Sequence, residues 1–184
     1  MGEVRALADS DGLEGFTAYF TARRDVVRRT AYVLCGDWHR ADDLAQAAFV
    51  RLAAGWHTVR DRQALDAFVR TCLVRAYIAD TGRAWRRREL TAAAPPEPPP
   101  VDDGGDAVAT RVAVVEALRS VPRRQRAVLV CRYYEGLDVA ETAEVLRVSQ
   151  GTVKSQTAKG LAALRVALGG VRDLVDTRPT WEAI

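Results

Sequence analysis

Apolar side chains recur at steps of about three or four residues along most of this chain, which is the spacing of one buried face on a helix. The first such stretch covers residues 13–35, and Gly36 follows it as a residue that commonly ends helices. Its buried face is predicted to comprise Phe16, Tyr19, Phe20, Val27, Ala31 and Leu34. The pattern predicts an all-α protein.

A second helix is predicted over residues 37–56, where the apolar stripe is nearly unbroken, and Asp37 is its candidate N-cap. The stripe comprises Ala41, Leu44, Ala45, Ala48, Phe49, Leu52 and Trp56. Two acids off the stripe suit the positive end of the helix dipole, or they belong to a contact surface for a partner. That outward surface contains Asp42, Asp43, Gln46, Val50 and Arg51.

A third helix is predicted over residues 62–88, and its character changes along its length. The first half has a core stripe of Leu65, Phe68, Val69, Cys72, Leu73 and Ala76. The second half interleaves cations with aromatic rings, at Arg75, Tyr77, Arg83, Trp85, Arg86, Arg87 and Arg88. Cations neutralise phosphates and rings stack on unpaired bases, so the segment suits separated DNA strands. The alternative is a solvated, arginine-rich helix end with Trp85 as a core anchor.

The helical pattern stops at residues 91–106, which read TAAAPPEPPPVDDGGD. Proline lacks a backbone donor and stiffens the chain, so this segment is predicted to be an acidic, extended linker. It separates a first helical domain, 1–90, from a second one, 107–169, which a short tail, 170–184, follows. A fourth helix is predicted to begin near Ala107 and to carry Val108, Val112, Val115 and Leu118.

Two short helical patterns meet at a tight corner in the second domain, which predicts a helix-turn-helix. The first covers residues 138–146, with Val139, Ala143 and Leu146 on one face. The second follows Ser149, a good N-cap, and its stripe comprises Val153, Thr157, Gly160, Leu161 and Leu164. Off that stripe, and free to enter a DNA major groove, lie Lys154, Ser155, Ala158 and Lys159, with Gln156 on the flank. A helical hairpin without DNA contact is the alternative.

Charge favours nucleic acid as a partner through its distribution more than through its total. The net charge is +3 and the pI about 9.0, but basic residues cluster at 83–88 and 119–132. Within the second cluster, Pro122 is followed by Arg123, Arg124 and Arg126, which oppose the helix dipole unless an anion such as phosphate lies near.

Nothing in the chain predicts catalysis, a metal or a cofactor. Cys35, Cys72 and Cys131 are far apart within apolar patterns and are predicted to be buried free thiols. No motif of a nucleophilic cysteine or serine accompanies His39 or His57, so the sequence predicts a protein that is not an enzyme. No apolar run is long enough to cross a membrane and no signal peptide is evident, so we expect a cytoplasmic protein without membrane insertion.

These features together resemble the bacterial RNA polymerase sigma factors, specifically the extracytoplasmic-function (ECF) group. The segments that carry the resemblance are TAYVLCGDWHRADDLAQAAFVRL, AFVRTCLVRAYIAD…WRRRE and VPRRQRAVLVCRYYEGLDVAETAEVL…GTVKSQTAKGLAALR. Residues 1–90 correspond to sigma region 2 and residues 107–169 to sigma region 4. The resemblance implies a factor that binds core RNA polymerase and directs promoter recognition and transcription initiation.

The resemblance also implies roles for individual residues. The helix with Asp42, Asp43, Gln46 and Arg51 would dock on the clamp coiled coil of the largest polymerase subunit. The segment from Arg75 to Arg88, with Tyr77, Arg83, Trp85, Arg86 and Arg87, would read and help to melt the minus-ten element. The helix with Thr152, Lys154, Ser155, Gln156 and Lys159 would read the minus-thirty-five element. Region 4 would also sit on the flap of the second-largest subunit, the acidic linker would enter the polymerase channels, and an anti-sigma factor is a potential partner.

Five positions depart from the family pattern. Ala47 replaces a frequent Glu after the clamp-helix Gln, and Arg75 replaces a frequent Asn in the third helix. Arg147 stands where Gly is usual at the helix-turn-helix corner, and at a positive φ it would cost roughly 1 kcal/mol. Thr142 occupies an apolar core position, and Gln156 replaces a frequent Arg.

Two other functions fit parts of the sequence. A freestanding helix-turn-helix regulator would bind DNA without polymerase, but it needs neither the second helix nor the arginine-rich segment. A sigma-like chain that sequesters a partner without starting transcription would account for Ala47 and Arg75.

Overall fold

A computed structural model describes residues 2–58, 64–80 and 105–169, with side chains described from residue 12 onward in the first range and from residue 112 onward in the last. Within these ranges the chain forms helices and no strands, as the sequence predicts. The helices are α1 (Gly2–Cys35), α2 (Trp38–Gly55), α3 (Leu65–Ala79), α4 (Gly105–Ser120), α5 (Arg123–Leu129), α6 (Val139–Leu146) and α7 (Gln150–Ala167). A short 3₁₀ turn, Trp56–Thr58, follows α2, and a π-helical turn, Val130–Tyr134, follows α5.

The first domain is a bundle of α1, α2 and α3. Gly36 adopts a φ of 71° and ends α1, and the Asp37 side chain accepts a hydrogen bond from the Arg40 backbone N–H at 2.8 Å and so caps α2. The stripe predicted for α2 is buried from Ala41 to Leu52. Aromatic side chains pack between α1 and the 3₁₀ turn that follows α2. The rings of Phe16 and Trp56 meet edge to face, with their centroids 5.5 Å apart.

The sequence-based prediction for α3 is wrong in two respects. The helix ends at Ala79, because Asp80 is extended with a ψ of 105°, so it does not continue unbroken to Arg88. Phe68, assigned to the core, is 42% exposed, whereas Val74 and Tyr77 are buried. The second domain covers the side of α3 that carries Val74 and Tyr77, so the buried face is rotated away from Phe68. The predicted helix start at residue 62 lies outside the described residues.

The second domain packs α7 against α5 and α6. Asp138 and Glu141 form a reciprocal capping box at the start of α6, in which each side chain accepts a hydrogen bond from the other residue's backbone N–H. Arg147 follows α6 with a φ of 54° and so forms the left-handed corner that sequence analysis associated with a glycine. Pro122 occupies the N-cap position of α5. Of the apolar residues noted on α4, Val115 and Leu118 are buried and Val112 is 58% exposed.

The two domains share one hydrophobic core. Leu34 and Cys35 at the end of α1 belong to the same buried cluster as Val115 and Leu118 of α4 and Val130 of the π-helical turn. The sequence predicted two domains separated by an extended linker and did not predict this direct packing. The three cysteines are buried and free, which confirms that prediction.

Candidate nucleic-acid interface

Helix α7 presents a polar face on the side opposite its buried residues. Val153, Gly160 and Leu164 are buried against the domain. Lys154, Ser155, Ala158 and Lys159 are exposed, as predicted, whereas Thr152 and Gln156 are half-buried at the edge of this face. Lys154 and Lys159 are the only lysines in the chain. The face therefore offers two flexible cations and three polar side chains on one helix of suitable diameter for a major groove.

The start of α7 is held rigidly. The Ser149 Oγ atom accepts a hydrogen bond from the Thr152 backbone N–H at 3.1 Å, and the two hydroxyl oxygens are 2.9 Å apart. The Ser155 hydroxyl donates to the Thr152 carbonyl oxygen at 3.0 Å. The first turn of α7 is thus fixed by its own side chains, which orients the polar face relative to α6.

A second polar face lies on α2, where Asp42, Asp43, Gln46 and Arg51 are exposed as predicted. Asp42 accepts hydrogen bonds from the Arg28 guanidinium of α1, which lies 4.4 Å from the centroid of the Trp38 ring. Ala47 is exposed on the same face. The Glu that is frequent at this position in the family would therefore lie on the surface, and its replacement by Ala47 does not affect the core.

Sequence analysis missed the contribution of Arg28 to the α2 face, and it noted Val50 on this face without giving it a role. Arg28, which orients Asp42, comes from another helix, and no spacing within α2 indicates it. Val50 is 60% exposed, and an exposed aliphatic side chain among polar ones is typical of a protein-contact surface. Its position off the apolar stripe was the available signal.

The residues predicted for the minus-ten element are not all brought to one surface. The prediction for Tyr77 is wrong. This residue is 1% exposed and lies in the core, and the Arg123 guanidinium is 4.7 Å from the centroid of its ring. Burial raises the pKa of its hydroxyl, as expected for a ring removed from water. Arg75 points toward α6 and donates hydrogen bonds to two backbone carbonyls there. Arg83, Trp85, Arg86 and Arg87 lie outside the described residues.

The described side chains contain no group of three or more His, Cys, Asp or Glu residues placed to hold a metal ion. Among the described helices, none is long and apolar enough to cross a membrane. Burial raises the pKa of the Cys35 thiol to about 11 and that of Cys131 to about 12, so these thiols are poor nucleophiles.

Comparison with known protein families assigns both domains. The family model for Sigma-70 region 2 matches residues 19–89, and that for Sigma-70, region 4 matches residues 111–164. The chain is 35% identical over 155 residues to the RNA polymerase sigma-E factor of Streptomyces coelicolor, covering 83% of this chain and 85% of that protein. It is 31% identical over 163 residues to the ECF RNA polymerase sigma factor SigM of Mycobacterium tuberculosis, covering 89% and 82%.

A solved structure has the same fold. The sigma factor RpoE of Bartonella quintana, in complex with the anti-sigma factor NepR, superposes with a TM-score of 0.66 at 18% identity, covering 86% of this chain and 99% of that one. Sigma factors are transcription regulators and not known enzymes. The chain therefore belongs to the sigma-70 family, as a sigma factor of the ECF group that binds core RNA polymerase and directs promoter recognition and transcription initiation.

Proposed function

We propose that the sigma activity is divided among three surfaces of this chain, with α7 as the helix that reads the minus-thirty-five element. The observation that carries this assignment is the separation of α7 into a buried side and an exposed polar side. Lys154 and Lys159 would contact phosphates or base edges, and Gln156 would pair with adenine. Thr152 and Ser155 would add hydroxyl contacts near the capped start of the helix.

The α2 face is the proposed docking surface for the clamp coiled coil of the largest polymerase subunit. Asp42 is held in place by Arg28, while Gln46 and Arg51 are exposed beside it. Asp43 completes the polar set, and Val50 adds the apolar contact. In residues 107–169, Val166 of α7 is 81% exposed and suits a contact with the flap of the second-largest subunit.

Arg75 and the residues after Asp80 are the proposed minus-ten surface. Arg83, Trp85, Arg86 and Arg87 supply the cations and the ring that separated DNA strands require. Tyr77 is excluded from this set because its ring is buried.

The remaining assignments complete the proposal. Residues 1–90 act as region 2, 91–106 as an acidic linker, 107–169 as region 4 and 170–184 as a tail. The chain works in the cytoplasm without a catalytic activity of its own, and the complex of RpoE with NepR makes an anti-sigma factor a reasonable partner to seek.

The experiment is multi-round transcription with core RNA polymerase on fragmented DNA from the organism that encodes the chain, with and without the protein. We expect discrete new start sites, with shared upstream elements on alignment. A variant with Gln46→Ala and Arg51→Ala should lose core binding, whereas Glu14→Ala on α1 should retain it. Core binding without new transcripts would contradict initiation and favour the sequestering function. Duplex DNA binding without core binding would favour the freestanding regulator.

A further inference from the structure

A cleft of about 190 Å³ lies between α1 and α3, and Glu135, which follows the π-helical turn, also lines it. We propose that this cleft binds a free amino acid with an aliphatic side chain. None of the residues that line the cleft belongs to α2 or α7, so it is distinct from the polymerase and minus-thirty-five surfaces. The proposal goes beyond the function proposed above and does not depend on it.

The cleft is large enough for a small organic molecule. Its volume corresponds to about six water molecules, since each takes up about 30 Å³ in the liquid. The side chains of Arg23 and Asp66 are 42% and 46% exposed, whereas those of Arg70 and Glu135 are 23% and 17% exposed. The cleft is therefore open beside the first pair and largely shielded from water beside the second.

Two cations and two carboxylates line the cleft, and each ion pair joins different elements. Asp66 of α3 accepts hydrogen bonds through both of its oxygens from Arg23 of α1, and one from the Tyr19 hydroxyl at 2.9 Å. Arg70 of α3 pairs with Glu135. The four charges sum to zero, so a ligand with a net charge would leave that charge uncompensated in a half-buried site. A zwitterion is neutral as a whole and avoids this cost.

Asp66 and Arg70 are spaced to hold the two ends of a zwitterion. They are four residues apart on α3 and therefore neighbours on one face, yet each is paired with a residue of another element. Oδ2 of Asp66 accepts one hydrogen bond from the described residues and has room for another. The α-ammonium group of an amino acid donates to this oxygen, and its α-carboxylate accepts from Arg70.

Arg70 has a donor that lacks an acceptor. Its hydrogen bond to Glu135 is long at 3.4 Å, compared with about 2.7–2.9 Å for a normal bond between charged groups. Its Nε atom is buried and has no acceptor among the described residues. An unmade hydrogen bond of a buried charged group is costly, so an incoming carboxylate removes a penalty as well as making a contact. We expect the Arg70 side chain to turn its Nε edge into the cleft as the carboxylate binds.

Three valines supply an apolar wall for the side chain of the ligand. Val26 and Val27 come from α1, and Val69 comes from α3. Val26 is 41% exposed, whereas Val69 is 1% exposed, so the wall extends from the surface into the core. A branched aliphatic side chain removes part of this wall from water, which adds to the attraction of the two polar ends. L-Leucine combines both features and is therefore the probe.

The test is a titration of the full chain with L-leucine, followed by NMR through the amide chemical shifts of α1 and α3. Val26→Trp fills the cleft, whereas Val112→Trp makes the same change at an exposed valine of α4 that does not line it. Arg70→Gln removes the partner of the carboxylate. Circular dichroism confirms that each variant is folded.

We expect saturable shifts with a Kd on the order of 1 mM, which is typical of so small a ligand. Val112→Trp should bind like the parent. Val26→Trp and Arg70→Gln should bind at least about tenfold more weakly, the first through steric exclusion and the second through loss of a charged hydrogen bond. Isocaproate lacks the ammonium group of leucine and isoamylamine lacks its carboxylate, so each should also bind at least about tenfold more weakly than leucine.

The absence of saturable shifts with L-leucine, or equal binding by the parent and Val26→Trp, would overturn the proposal. Equal affinity for isocaproate and L-leucine would overturn the zwitterion as the ligand class, because the ammonium group would then contribute nothing. The titration involves neither polymerase nor DNA. A chain that binds leucine yet starts no transcription would therefore contradict the proposed function while leaving the amino-acid site supported.

Discussion

The backbone of Gly160 in α7 lies against the side chain of Leu129 in α5, so closely that a β-carbon at Gly160 would come within 3.1 Å of the Leu129 Cγ atom. A second neighbour, the Gln125 Cβ atom, would be 3.3 Å away. This contact sets how near α7 lies to α5.

Gly160→Leu should therefore destabilise the protein by about 2 kcal/mol, because an overpacked core must displace its neighbours. Gly151→Leu is the matched control, since Gly151 is exposed in the first turn of the same helix and a β-carbon there would meet only the Ser149 Oγ atom at 3.8 Å. It should be neutral or stabilising by up to about 1 kcal/mol. Urea unfolding of both variants gives the comparison, and equal unfolding midpoints would refute the close packing.

Arg147→Gly should stabilise the protein by about 1 kcal/mol. Arg147 has a φ of 54°, a left-handed conformation that a side chain makes costly and that glycine adopts freely. Arg147→Ala removes the same charge but keeps a β-carbon, so it should show no comparable gain. Thermal unfolding distinguishes the two, and a similar shift for both variants would trace the effect to charge and not to the backbone.

Thr142→Val should also stabilise the protein, by about 1 kcal/mol. The Thr142 side chain is fully buried, and its hydroxyl has no hydrogen-bond partner among the described residues. Valine has the same shape without the unsatisfied polar atom. Thr142→Ser retains the hydroxyl and loses the methyl group, so it should destabilise by about 1 kcal/mol. Loss of stability in the valine variant would mean that the hydroxyl is bonded in solution.

Lys154→Ala and Lys159→Ala should each weaken binding to the promoter found by the transcription experiment. Each should also reduce the slope of log affinity against log salt by about 0.9 if the lysine contacts a phosphate. Arg165→Ala, an exposed cation in the last turn of the same helix, is the control and should leave both quantities unchanged. Equal salt slopes for the lysine variants and the parent would show that this face of α7 does not meet the DNA backbone.

The buried thiols should react slowly with Ellman's reagent in the folded protein. At pH 8 a thiol with a pKa of about 11 to 12, as for Cys35 and Cys131, has at most about one thousandth of its molecules as thiolate. All three cysteines should react within minutes in urea. Because the folded pKa lies above the ordinary value of 9.0, stability should fall as the pH rises from about 9 toward 12. Rapid modification at pH 8 without denaturant would contradict this burial.

Sequence patterns predicted those parts of the fold that a single helix determines. The buried side of α2 and the two faces of α7 follow from periodicity alone, and Asp37 and Ser149 cap the helices as their positions indicate. The family membership was also predicted correctly from the motifs.

Features that depend on contact between the domains were not predicted. Tyr77 and Phe68 were assigned to the wrong environments because periodicity within α3 does not show that a second domain covers it. Thr30 and Glu135 form a hydrogen bond although they are 105 positions apart in the chain, and neither belongs to a local motif. Such pairs are specified by the packing of whole domains.

The confinement of both lysines to α7 has a practical and a chemical consequence. Apart from the α-amino group, Lys154 and Lys159 are the only amines in the chain, and both are exposed. Acylation of amines would therefore remove both lysine charges from α7 while leaving every arginine of the chain charged, Arg165 of α7 included. A mass spectrum of the acylated protein would thus measure the accessibility of a single helix, in the free protein, in the polymerase complex or on DNA.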